Sequence, residues 1–138
     1  MINQVYGDNV FRTTIVCIDE YDNKTPIGRI YNAYFEEGVN FHSTIELLLT
    51  LESMLESMNW PQSYSERRLF KSVEDAPEPK KAENEIREGK LATFSLRILF
   101  RQNSSWQGEL VWHEGNQSES FRSAFELLML INSAMSNE

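Results

Sequence analysis

A single cysteine, Cys17, leaves no partner for an internal disulfide and so points to a reducing, cytoplasmic setting. Basic residues are scarce as well: 13 Lys and Arg against 21 Asp and Glu give a net charge of −8. Nonspecific DNA or RNA binding needs a basic footprint that displaces counterions from phosphates, so direct nucleic-acid binding is not expected. A basic partner, or mimicry of nucleic acid, stays compatible with this charge. Long hydrophobic runs are missing too. The longest apolar-rich stretch lies within Leu127 to Ile131, far short of a membrane span, so no membrane association is expected. Met1 to Asp8 lacks the basic-then-apolar pattern of a signal peptide.

Chemistry-bearing motifs are equally sparse. There is no CxxC, HxxxH or HExxH, no GxGxxG and no phosphate loop, so neither a metal nor a cofactor is expected. Cys17 as a nucleophile would need a histidine base, yet it alternates with Ile15 along an apparent strand, where a small thiol packs. Glu36 and Glu37 precede Gly38, which suits a solvated turn better than a pair of catalytic carboxylates. No catalytic residue is assigned, and the expectation is a protein without enzymatic activity.

What the chain does have is the same unit twice. Phe41-His42-Ser43-Thr44-Ile45-Glu46-Leu47-Leu48 and Phe121-Arg122-Ser123-Ala124-Phe125-Glu126-Leu127-Leu128 lie 80 residues apart and share Phe, Ser, Glu, Leu and Leu. At the same offset Gly28 meets Gly108, Asn23 meets Asn103, Ile18 meets Ile98, Thr13 meets Thr93 and Ser53 meets Ser133. Repeats are read first because they fix architecture.

Each copy reads β-β-β-α. In the first, Thr14, Val16 and Ile18 alternate with Ile15 and Cys17, and a turn at Tyr21 to Pro26 leads into a second strand from Ile27 to Phe35. A third strand at Val39 to Phe41 runs into a helix from Ser43 to Met58. Ser43 and Glu46 form a capping box, and Ile45, Leu48, Leu51, Leu55 and Met58 form the expected buried stripe. In the second copy Phe94, Leu96, Ile98 and Phe100 share one face, Trp106 to His113 follows, and Ser123 and Glu126 cap the last helix. The expected fold class is therefore α+β, two tandem β-β-β-α repeats in a pseudo-twofold arrangement. Each repeat is an antiparallel meander with a helix on one face. Residues 1–58 and 91–138 hold the repeats, joined in one compact pseudo-symmetric domain. Residues 59–90 form a linker, with apolar content for an extra strand at 64–73 and a composition at 74–88 that favours disorder.

The residues shared by the copies are accounted for by folding: caps, anchors at Phe41 and Phe121, and glycines where a bulge or a positive dihedral is needed. Strand phase and element ends instead place Tyr31, Phe35, Trp106 and His113 off the main core. These four form the candidate interaction surface, since interfaces favour aromatic anchors inside a polar rim.

Ser-Trp-Gln-Gly at 105–108 followed by Phe-Arg-Ser-Ala-Phe-Glu-Leu-Leu at 121–128 resembles small, uncharacterised bacterial proteins with a WQG turn ahead of an FRSxxELL helix. The resemblance implies a bacterial setting and carries no activity. The sequence thus leads to a non-catalytic protein-interaction or regulatory module with a protein partner, with a homodimer compatible. The alternatives are a small-ligand or nucleotide sensor binding between the repeats, and an acidic inhibitor protein from a mobile element.

Overall fold

A computed structural model describes residues 13–58, 87–102 and 105–136. Strands β1 (Thr13–Asp22), β2 (Thr25–Tyr31) and β3 (Val39–Phe41) precede helix α1 (Thr44–Met58). Strands β4 (Ala92–Gln102), β5 (Ser105–Trp112) and β6 (Gln117–Phe121) precede helix α2 (Ala124–Ser136). The strands join in one six-stranded antiparallel sheet ordered β3-β2-β1-β4-β5-β6, so the protein is α+β. Among the described residues, no helix is long and apolar enough to cross a membrane.

The core follows from alternation. Val39, Ile30, Val16, Phe94, Trp112 and Gln117 form one cross-strand row spanning all six strands. Neighbouring rows on the same face contribute Ile18, Ala92, Leu96, Leu110 and Ile98, with Phe41 and Phe121 at the two edges. Leu47, Leu51, Met54, Leu55 and Met58 of α1 and Leu127, Ile131, Ala134 and Met135 of α2 cover this face. Both helices lack Gly and Pro and are rich in Leu and Met, which favours helix over their whole length.

Local chemistry sets the connections. Asn23 and Lys24 both have positive φ, 53° and 60°, the backbone of a two-residue hairpin whose twist matches its strands. Each helix starts with its expected cap: the Glu46 and Glu126 amides donate to Ser43 Oγ and Ser123 Oγ, both at 3.1 Å. The glutamates reach one residue further back than in the usual box, accepting from the amides of His42 and Arg122.

Three details depart from the simple pattern, each for a local reason. Register shifts at Ile18/Glu20 and Ile98/Phe100 are β-bulges, and the extra residue inverts the side-chain phase beyond it. Phe100, expected inward, is therefore 45% exposed, while Arg101 turns into the core side. The glycines expected to permit a bulge do sit opposite them, Gly28 facing Ile18 and Gly108 facing Ile98. Their need is close approach, since a Cβ would come 1.7 Å from Cys17 O and 1.9 Å from Arg97 O. The second strand, expected to reach Phe35, stops at Tyr31 because Asn32 turns the chain, its Oδ1 accepting from the Tyr34 amide and its carbonyl from the Phe35 amide. The buried stripe of α1 is rotated from the one expected: Leu47 and Met54 face the sheet and Ile45 faces solvent. Of the expected linker, residues 59–86, with the extra strand at 64–73, lie outside the described residues. Residues 87–90 are tied to the sheet through Lys90 and Gly89 amides donating to Asp19 Oδ1 and Thr93 Oγ1.

Candidate functional site

The four aromatic residues expected at the surface do not gather there. Trp106 is 4% exposed and belongs to the core, because its strand phase turns it toward the helices. Its Nε1 donates to Glu52 Oε1 of α1 at 3.0 Å, beside Arg101, whose buried guanidinium contacts Glu56 at 2.9 Å and Glu52 at 3.5 Å. These bonds pin α1 to the β4–β5 hairpin. In the other direction, the Tyr21 hydroxyl donates to Asn132 of α2 at 2.6 Å. Tyr21 and Arg101 both owe their inward direction to the bulge just before them, so each helix is fastened to strands that precede the other helix in sequence.

Tyr31 does lie on the sheet face away from the helices, as its phase required, but it is only 3% exposed. The guanidinium groups of Arg29 and Arg87 lie over its ring, 5.6 and 5.5 Å from the centroid. Arg29 also donates to the Tyr31 hydroxyl at 2.7 Å, to both Asp19 carboxylate oxygens at 3.0 Å, and to the Glu88 carbonyl. Burial alone would raise the Asp19 carboxyl, but the hydrogen bonds from Arg29 and the Lys90 amide hold it below its ordinary value. Cys17, across from Arg29 in register, is fully buried, and burial pushes its thiol up to about 11 despite that neighbour. The thiol is thus held protonated, the opposite of an activated nucleophile.

Phe35 is half-buried in the β2–β3 turn, edge-on to Tyr34 at 5.4 Å and packed on the core. His113 alone of the four is exposed. Its Nε2 lies 2.7 Å from Ser95 Oγ, while its own backbone amide donates to the Thr93 carbonyl. A hydroxyl on an imidazole has the first half of a nucleophile–base arrangement, but among the described residues no carboxylate meets this ring to orient it. Tyr31 and Trp106 are thereby corrected from surface anchors to buried residues, and the four do not form one surface.

The surface that does stand out is on the helices. Ile45 and Leu49 of α1 are each 63% exposed, and Phe125 and Met129 of α2 are 69% and 55% exposed. Each pair is spaced i,i+4, so its members are neighbours on one helix flank. The rotation of the buried stripe puts them there: Leu47 and Leu127 take the core positions that Ile45 and Phe125 would otherwise fill. Around them α1 carries Glu46, Glu52 and Glu56 and α2 carries Glu126, with no Lys or Arg in either helix. At the N-termini the rim is closed by His42 Nδ1, 3.1 Å from Glu46 Oε1, and by an Arg122–Glu126 ion pair at 2.7 Å. The Glu46 carboxyl is held low by hydrogen bonds from the backbone and ring of His42, and Glu126 by the Arg122 side chain and amide. Both therefore present negative charge at neutral pH. Apolar pads of this kind had a visible sequence signal, because five of the eight residues Thr44–Leu51 and seven of the ten residues Ala124–Ser133 are apolar, more than one buried stripe uses.

Compared with models of known families, with curated proteins and with solved structures, the chain matches none.

Proposed function

We propose that this protein is a non-catalytic interaction module that binds a protein partner through the outer flanks of its two helices. The observation that carries the reading is the exposure of four large apolar side chains, Ile45, Leu49, Phe125 and Met129, as two i,i+4 pairs. Single exposed apolar residues need no explanation, whereas adjacent ones in a chain this acidic do. The partner suited to them carries apolar anchors ringed by Lys or Arg, since the helices supply only acidic charge.

The reading includes an architecture: two tandem β-β-β-α repeats related by a pseudo-twofold axis. Support comes from the register. Ile15 pairs with Ser95, its own counterpart 80 residues on, and the flanking pairs Thr14–Leu96 and Val16–Phe94 exchange under the same offset. The bulges, the glycines opposite them, the Ser caps and the two exposed pairs all follow that offset. Such an axis makes the two pads equivalent, as in a symmetric dimer compressed into one chain.

The test is paired capture from the native host with the wild-type chain and with a variant bearing Ile45→Ser, Leu49→Ser, Phe125→Ser and Met129→Ser. A specific partner retained by wild type and lost from a variant of unchanged thermal stability supports the reading. If every specific partner survives the four substitutions, the pads are not the binding surface. Loss of dimerisation by the variant in sedimentation would identify the partner as a second copy.

A further inference from the structure

A cavity of about 180 Å³ opens beneath α2. Its floor is Phe94, Leu110 and Trp112, its roof is Leu130, Ser133 and Ala134, and Gln117, Ser118 and Glu119 of β6 form its side. The indole Nε1 of Trp112 is buried and, among the described residues, has no hydrogen-bond partner. A buried donor left unsatisfied costs about 1–3 kcal/mol, so it asks for an explanation.

The positions 80 residues earlier show what the cavity lacks. Trp112 corresponds to Asn32, whose amide is satisfied by Thr14 Oγ1 at 2.9 Å and the Thr13 carbonyl at 3.4 Å, and whose Oδ1 accepts from the Tyr34 amide. Ala134 corresponds to Met54, a buried core residue with three more side-chain heavy atoms. The first half of the chain is filled and satisfied at these positions. The second half is open and has a donor to spare.

We infer that this cavity is a binding site for a small, single-ring molecule that is neutral or cationic, with a hydrogen-bond acceptor for Trp112 Nε1. The size follows from the volume, as a dry apolar cavity of roughly 150 Å³ accepts one benzene. The charge follows from the lining, in which, among the described residues, Glu119 is the one ionisable side chain and no basic residue occurs. Nucleotides and other phosphates are thereby excluded from this site, and an ammonium or hydroxyl at the mouth is favoured by Glu119. The site does not depend on the protein-binding pads, and either can fail alone.

The experiment is a titration of the ¹⁵N-labelled full chain with tyramine, p-cresol and 4-hydroxyphenylacetate, following the Trp112 indole N–H resonance. Tyramine should shift it saturably, and the anionic acid should bind at least about tenfold more weakly, a gap of one 1.4 kcal/mol step. Ala134→Met, which copies the filled position of the first half, should weaken tyramine by about tenfold or more in a chain that melts no lower than wild type. Trp112→Phe keeps the ring and removes the donor. Followed by neighbouring methyl resonances, it should weaken p-cresol while sparing toluene, and it stands as the control if Ala134→Met fails to fold. No saturable shift at up to about 10 mM of either the neutral or the cationic probe overturns the inference, as does equal binding by the anionic one.

Discussion

Arg101 should be stabilising in the native chain and destabilising once its two acidic partners are gone. Its side chain is 3% exposed, against 39% for Glu52 and 51% for Glu56. Arg101→Met keeps much of the apolar stem in place and frees two carboxylates that can rehydrate where they stand. The cost should be about 1–2 kcal/mol, the scale of a charge-assisted hydrogen bond. Glu52→Ala with Glu56→Ala instead removes two counter-charges from a buried guanidinium and the acceptor of Trp106 Nε1. That double variant should lose about 3–5 kcal/mol, as expected when a buried ion keeps its burial and loses two carboxylates that face it. Adding Arg101→Met to the double variant should then restore stability by about 1 kcal/mol or more, a reversal of sign. Urea unfolding at neutral pH reads all four midpoints, with a constant m-value checking that the cycle compares like states. If Arg101→Met is equally destabilising in both backgrounds, the guanidinium is not buried between these carboxylates and the attachment of α1 to the β4–β5 hairpin is misassigned.

Three further outcomes follow from the geometry. Phe41→Ala and Phe121→Ala should each cost about 3–5 kcal/mol in urea unfolding, because both rings are essentially fully buried at the strand-to-helix junctions; a neutral result at either would place that ring outside the core. The Cys17 thiol, buried and raised to about 11, should react with a thiol reagent at pH 8 at least about a hundredfold more slowly in native buffer than in denaturing urea. Asp19 is held below its ordinary value, so the stability it contributes is present above the normal carboxylate range and lost as pH falls through the lowered folded value. The melting-temperature gap between wild type and Asp19→Asn should accordingly be widest near neutrality and close in acid; a gap independent of pH would deny the carboxylate its role with Arg29.

Much of the fold was legible because its signals are local. Alternation in Thr14 to Ile18 and Thr93 to Ile98 marked the central strands, and Ser43 with Glu46 and Ser123 with Glu126 marked both helix starts to the residue. The bulges were only half legible: Gly28 and Gly108 pointed to a bulge or a positive dihedral, but the unpaired residue opposite leaves no mark in hydrophobic period. That is why Phe100 was expected in the core. Asn32 ended the second strand through its own side chain, which broke the phase used to place Phe35. The candidate site suffered most from the helix phase. With both Ile45 and Leu47 apolar, sequence alone cannot choose which faces the sheet, and the exposed pads depend on that choice. Trp106 was misplaced for a related reason, as an aromatic at a strand end suits a surface anchor until Glu52 is seen to accept its N–H.

The central claim, binding through the helix flanks, is tested most directly by methyl resonances. With Ile, Leu, Val and Met methyls labelled and a captured partner or partner peptide added, the Ile45, Leu49 and Met129 signals should shift together and saturate at one affinity, while Ile15 and Val16 hold still. Shifts confined to Ile15 and Leu91 on the opposite face of the sheet, with those three methyls unmoved, would contradict it.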